Sequence, residues 1–307
     1  MDTSFGIQQK GKRNLITDVA GITVGHCTLA DGDVQTGVTA LLPHQGDLFH
    51  DRCPAAVHVI NGFGKSAGLV QVQELGYLET PLILTNTLSV GTAFTACVRY
   101  MLARNDQIGR AESTVNPVIL ECNDGYLNDI RGLHVTEDQV FAALDAEDTT
   151  FALGAVGAGR GMSCYHLKGG IGSASRVFEI GGQTYTLGAL AMTNFGSLID
   201  LTIAGERIGK KLAAEPEDAK GSCIMVLATD APLSSRQLSR VARRAQSGLA
   251  RTGAVTEHGS GEIVLAFSTA NRIQAGQIFH SGVYLNDEAF RPIFRAATET
   301  LEESIIR

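Results

Sequence analysis

The chain contains no tryptophan, and aromatic residues make up only 6% of its 307 positions. It has no unbroken apolar run of the roughly 20 residues that a membrane-spanning helix needs, so no membrane partner is expected. It has no lysine- or arginine-rich block either. The formal charge is -7, and the pair Arg243-Arg244 falls on an expected helix with its side chains toward solvent. A nucleic-acid partner is therefore not expected. The stretch Met1 to Lys10 lacks the apolar core of a signal peptide, so the expected location is cytoplasmic. The six cysteines, at 27, 53, 97, 122, 164 and 223, form no C-x-x-C pair and no zinc spacing with histidine. They read as small buried hydrophobes. Two glycine-rich stretches, 154–161 and 168–173, follow neither the dinucleotide pattern nor the P-loop pattern and read as turns. Glu121, Asp124 and Asp129 do not have the spacing of a calcium loop. No linker rich in proline, serine or charge divides the chain, and no internal repeat stands out. A single domain over 1–307 is expected.

What is present is 44% hydrophobic residues and 35 glycines, which suits short elements joined by tight turns. Strands are expected on both sides of a turn at Ala20-Gly21, within 14–27, then at 38–42, 55–60, 81–85 and 118–121. Further strands are expected at 176–180 and 185–191, around a Gly181-Gly182 hairpin turn, and at 222–229 and 262–267. Helices are expected near 68–75, over 89–103, over 137–146 with Thr136 as N-cap, and over 198–212 with Ser197 as a possible cap. A helix capped by Ser234 or Ser235 should bury Leu238, Val241, Ala242, Ala245 and Leu249. A last helix carries Phe290, Ile293, Phe294, Ala297 and Leu301. Strands and helices alternate, as in one layered α/β domain.

One junction concentrates the chemistry. The polar run Glu215-Pro216-Glu217-Asp218 gives way, after Lys220, to Gly221-Ser222 and then to the apolar run from Cys223 to Thr229. A hydroxyl is thereby set where a loop meets a buried strand. The glycine before it lets the peptide adopt angles closed to other residues. Ser222 could attack the Gly221 carbonyl, cut the chain there and become N-terminal, with its α-amine beside its own hydroxyl. On these residues alone the plainer reading is that Ser222 ends a loop before a strand. Adjacent strand residues face opposite ways, so Cys223 and Ser222 cannot both serve one site. In His258-Gly259-Ser260-Gly261-Glu262, extended chain puts Ser260 and Glu262 on one face, where the carboxylate can hold the hydroxyl. His258 is not singled out by spacing from the other histidines. Asn194, after a strand, could donate to an oxyanion, and Glu121 ends a strand.

These residues lie among motifs that resemble the DmpA-type family of L-aminopeptidase/D-amidase-esterases and β-peptidyl aminopeptidases. The motifs are Asn14…Ile16-Thr17-Asp18-Val19…Gly21…Val24-Gly25-His26, Leu84-Thr85-Asn86-Thr87…Ser89-Val90-Gly91, Lys168-Gly169-Gly170-Ile171-Gly172…Ala174-Ser175-Arg176 and Ala228-Thr229-Asp230-Ala231-Pro232-Leu233. The resemblance runs in order from about residue 12 to about 300. It implies a four-layer α/β/β/α sandwich, a fold logic shared with ornithine acetyltransferases, and self-cleavage into an α chain (1–221) and a β chain (222–307). It implies Ser222 as nucleophile, Ser260 and Glu262 in support, Asn194 at the oxyanion, and Glu121 for the free amine of the substrate. Where some members have a tyrosine two residues after that glutamate, this chain has Asn123, with Tyr126 nearby. The substrates implied are short peptides, amino-acid amides or esters, no cofactor is called for, and the assembly implied is a homo-oligomer, typically a tetramer of αβ units. Two rivals remain at this level: an ornithine-acetyltransferase-like acyltransferase, which would use a threonine nucleophile, and an uncleaved binding homologue.

Overall fold

The computed structural model describes residues 5–213, 215 and 221–307. Among these residues the smaller of two main sheets has four strands, in the order β1 (Thr23–Asp31), β2 (Val34–Leu42), β4 (Leu82–Asn86) and β5 (Val118–Cys122). The larger runs β3 (Asp51–Gly62), β9 (Gly261–Ser268), β8 (Ser222–Thr229), β7 (Gln183–Asn194) and β6 (Gly170–Ile180), with the two-residue strands Tyr77–Leu78 and Ile273–Gln274 paired to β3.

The unbroken apolar run of β8 follows from its place between two cores. Successive side chains alternate across a strand. Cys223, Met225 and Leu227 therefore pack toward helices α5 (Ser235–Arg251) and α6 (Arg291–Ile306). Ile224, Val226 and Ala228 pack against the other sheet, where they meet Leu41, Leu84 and Leu120. A third core lies beyond that sheet, where Val38, Ala40, Ile83 and Ile119 meet α2 (Val90–Leu102) and α3 (Glu137–Asp145). Helix, sheet, sheet, helix is the order of layers, as the resemblance implied. Each fully buried leucine or isoleucine in these cores contributes about 1.5–3 kcal/mol relative to exposure.

The expected helix caps are present at two places. Ser234 and Gln237 bond each other's backbone N–H at the start of α5, a reciprocal capping box. All five residues of the expected α5 face are buried. At α3, the Gln139 side chain accepts the Thr136 N–H at 2.8 Å.

Three expectations change. The chain before Gly21 is not a strand: Ile16–Asp18 is a 3-10 turn, held by Asp18 accepting the Arg13 N–H at 3.0 Å and by Ser173 accepting the Ile16 N–H at 2.8 Å. The stretch 168–173 is not a turn beyond its first residues, because Gly170–Ser173 already belong to β6. There Gly172 lies so close to α6 that a Cβ would sit 1.7 Å from the Ser304 carbonyl oxygen. The helix expected over 198–212 breaks into a 3-10 turn, Leu198–Asp200, and one helical turn, α4 (Gly209–Leu212). Between them Ile203 and Glu206 exchange backbone hydrogen bonds of 2.9 Å, and Gly209 packs back on the Leu198 carbonyl. The polar loop expected at 215–218 lies outside the described residues apart from 215, as does Lys220.

Candidate active site

Strand register brings the distant motifs together. Ser222, the first residue of β8, pairs laterally with Asn194, the last of β7, and with Gly261, the first of β9. Gly261 in turn pairs with Gly62 on β3. Across the interface between sheets, Glu121 sits near the end of β5, beside Thr85 of β4.

Ser222 is only 6% exposed. Its Oγ accepts the Gly261 N–H at 3.3 Å. The same N–H lies 3.2 Å from the carbonyl oxygen of Gly221. One backbone donor thus touches both the hydroxyl and the carbonyl that this hydroxyl would attack. Gly221 has φ +156°, and a Cβ there would lie 1.8 Å from the Asn194 carbonyl oxygen, so the position demands glycine. Gly261 is equally confined, since a Cβ would meet the Phe63 carbonyl at 2.8 Å and Ser222 Oγ at 3.1 Å.

Asn194 is fixed by two backbone groups. Its Oδ1 accepts the Ser163 N–H at 3.0 Å, and its Nδ2 donates to the Asn123 carbonyl at 2.8 Å. A carboxamide nitrogen has two N–H groups, and this bond uses one of them. Asn123 therefore serves through its main chain, while its side chain accepts the Gly125 N–H at 2.9 Å. Tyr126 is 81% exposed.

Ser260 donates its hydroxyl hydrogen bond to Glu262, as the period-two spacing predicts. Glu262 is buried, and its second oxygen finds no partner among the described residues. Burial pushes its pKa above the ordinary carboxylate range, against the pull of the Ser260 hydroxyl. Beside the pair lies a cavity of ≈ 20 Å³ lined by Gly221, Phe195, Ser197 and Asp200, room for one water or one ammonium group. A raised folded pKa means that Glu262 contributes stability at pH values below the unfolded carboxyl's range, and this is lost as pH rises through the folded value. In an uncleaved Ser222→Ala protein, Glu262→Gln should therefore remove part of the decline in thermal midpoint from acid to neutral pH. An identical decline in both proteins would show that the carboxyl is not held protonated by burial.

Glu121 is also buried. Its Oε1 accepts the Lys65 N–H at 2.7 Å and its Oε2 accepts the Thr87 hydroxyl. Gly64 lies between this carboxylate and the start of β9, the strand beside that of Ser222: a Cβ there would be 3.6 Å from Glu121 Oε1 and 4.0 Å from Gly261 Cα. Glu121 and Gly261, the lateral partner of Ser222, thus flank one bare strip of backbone.

Other sequence candidates separate from this site. Cys223 faces the helix core, and burial pushes its thiol pKa well up, which makes it inert as a nucleophile. His258 is packed against Phe63 at 6.4 Å between ring centroids. No group of metal-ligating side chains forms among the described residues. The partners that sequence reasoning missed are the N–H groups of Gly261, Lys65 and Ser163, the Asn123 carbonyl and the Thr87 hydroxyl. Four of the five are main-chain groups, which no side-chain pattern could mark.

Two sheets stacked between helix layers, with a serine heading an inner strand beside an asparagine and a hydroxyl–carboxylate pair, define a serine hydrolase of the N-terminal-nucleophile type. Residues 14–307 match Peptidase family S58, and the chain belongs to that family. It is 38% identical to beta-peptidyl aminopeptidase BapA of Sphingosinicella microcystinivorans, over 96% of this chain and 81% of that protein. Among solved structures, a protein of Pyrococcus horikoshii OT3 superposes with a TM-score of 0.96 at 50% identity, over 99% of this chain and 88% of that one. The L-aminopeptidase D-Ala-esterase/amidase of Ochrobactrum anthropi, described as a prototype serine aminopeptidase and a variant of the Ntn hydrolase fold, superposes with a TM-score of 0.92 at 38% identity. That match covers 98% of this chain and 87% of that one.

Proposed function

We propose that this chain cuts itself between Gly221 and Ser222 and then acts as an aminopeptidase on short peptides, amino-acid amides or esters, β-amino-acid N-termini included. The observation that carries the reading is the Gly261 N–H shared by Ser222 Oγ and the Gly221 carbonyl oxygen. In the first reaction Ser222 Oγ bonds to the Gly221 carbonyl carbon while Gly261 N–H supports the oxyanion. The Gly221–Ser222 C–N bond breaks, the released amine takes the proton, and an ester remains. Water hydrolyses that ester, leaving a Gly221 carboxylate on the 1–221 chain and a free Ser222 hydroxyl on the 222–307 chain.

In the second reaction the same hydroxyl attacks the first amide of a substrate. The Ser222 α-amine accepts its proton, as an unperturbed α-amine with a pKa of ~7.7–8.0 can near neutrality. Asn194 Nδ2–H and Gly261 N–H hold the oxyanion. The leaving amine departs with a proton, and water then frees the acyl group. The unpartnered oxygen of Glu262 and the small cavity beside Gly221 suit the new α-ammonium once the chain has been cut. Glu121 receives the substrate ammonium, which restricts cleavage to the first residue. No cofactor enters either reaction. We further place the enzyme in the cytoplasm as a homo-oligomer, a tetramer of αβ units. The exposed apolar side chains of Ile278, Phe279 and Val283, close together in sequence, support an assembly.

Mass spectrometry under denaturing and native conditions, with hydrolysis of a panel of α- and β-aminoacyl p-nitroanilides, tests this reading. Two chains meeting at 221/222, a tetrameric mass and amine-dependent hydrolysis are expected. An intact chain without hydrolysis would favour a binding protein, and acyl transfer to an amine in preference to water would favour an acyltransferase. Glu121→Gln should raise KM for aminoacyl substrates by at least ~10-fold, the loss of a charge-assisted hydrogen bond, and leave kcat within a few-fold. An unchanged KM would remove Glu121 from amine recognition.

A further inference from the structure

Asp124 takes no part in the scheme above, yet it is fully buried beside it. It lies two residues past the end of β5, where the chain turns. Its Oδ1 accepts the Asn128 Nδ2–H at 3.0 Å, and its carbonyl accepts the N–H groups of Leu127 at 3.1 Å and Asn128 at 3.0 Å. Asn128 is itself tied to β2, where its Oδ1 accepts the Gln35 N–H at 2.9 Å. Thr36 and Asn86 also face the carboxyl, and with Asn128 they oppose the rise in pKa that burial imposes. Asp124 thus holds the turn 123–128 together, and Asn128, which it bonds, fastens that turn to β2.

What that turn carries is the Asn123 carbonyl, one of the two groups that bond the Asn194 carboxamide. The second group is the N–H of Ser163. Two residues before it, Gly161 presses on the same carboxylate residue: a Cβ at Gly161 would lie 2.8 Å from Asp124 Cβ. Both segments that grip Asn194 thus pack on Asp124. We propose that Asp124 is a positioning residue for the oxyanion donor, setting the Asn194 amide through the turn at Asn123 and the loop at Gly161–Ser163. Misplacing a catalytic group by about 1 Å can cost on the order of 10²-fold in rate, so a small shift of this turn is enough to matter.

The inference rests on the aminopeptidase reading, and the experiment separates the two. Rates of self-cleavage, and kcat and KM for an aminoacyl p-nitroanilide counted per cleaved chain, are compared for wild type, Asp124→Ala and Asp124→Asn, with thermal midpoints recorded alongside. Asp124→Ala should lower kcat by ~10-fold or more, leave KM within about 3-fold and slow self-cleavage. Asp124→Asn can still accept the Asn128 amide hydrogen bond and should recover most of kcat. If Asp124→Ala does not fold, Asn128→Ala cuts the same tie and should reproduce the fall in kcat. A lowered midpoint with kcat per cleaved chain within about 2-fold of wild type would mean that Asp124 only stabilises the fold, and an equal fall in kcat in the alanine and asparagine variants would overturn positioning through the Asn128 hydrogen bond. A wild type that neither cuts itself nor hydrolyses any substrate would instead overturn the aminopeptidase reading and take this inference with it.

Discussion

Ser222→Ala is expected to run as one undivided polypeptide of 307 residues on a denaturing gel and to lose hydrolysis by roughly 10⁴–10⁶. Both effects come from one oxygen atom. Without Oγ neither hydroxyl-bearing Ser260 nor the adjacent Cys223 takes its place: Cys223 points to the helix core with its thiol pKa pushed well up, and Ser260 is engaged with Glu262. The fold itself should survive, because Ser222 makes its lateral strand pairs through the main chain. The two readouts, gel and rate, also guard each other. A variant that still divides at 221/222 would show that some other group cuts the chain. A variant that stays whole but keeps wild-type turnover would show that hydrolysis does not pass through this serine.

Asn194→Ala should lower kcat, counted per cleaved chain, by ~10²–10³, about 2.7–4 kcal/mol of lost oxyanion stabilisation. KM should move little, since an oxyanion donor acts on charge that exists only in the transition state. Self-cleavage should slow as well, because Asn194 is the lateral neighbour of Ser222 at the proposed cut. Gly261 N–H remains in the variant, so the loss should stop well short of that for Ser222→Ala. A kcat within tenfold of wild type would assign the oxyanion to backbone donors alone. The comparison of the two variants thus separates the atom that forms the bond from the groups that carry its charge.

Much of the architecture was legible in order. The face of α5 could be read because amphipathic periodicity records which side of a helix is buried, and Leu238, Val241, Ala242, Ala245 and Leu249 are all inside. The strand after Gly221 could be read because both of its faces are covered, leaving no polar position in Cys223–Leu227. The 198–212 stretch misled for the opposite reason. Its apolar residues have helical spacing, but Gly205 and Gly209 let the chain double back, and Gly209 packs on Leu198 at a distance that sequence spacing does not encode. The segment before Gly21 misled because Ile16 and Val19 enter the core between the sheets from a turn, and local alternation of apolar residues looks the same from a turn as from a strand.

The site divides along the same line. Residue types and short spacings located the Gly221-Ser222 junction, the Ser260–Glu262 pair two residues apart, and Asn194 and Glu121 at strand ends, while the roles expected of them came from the family resemblance. Those features are local, and local geometry follows from a few neighbouring dihedral angles. Which main-chain N–H would lie against Ser222, what would grip the Asn194 amide, and that Gly64 would sit between Glu121 and Gly261 were decided only by strand register and the stacking of two sheets. Every residue but proline carries the same backbone donor and acceptor, so the sequence cannot mark the few that matter until the fold has aimed them.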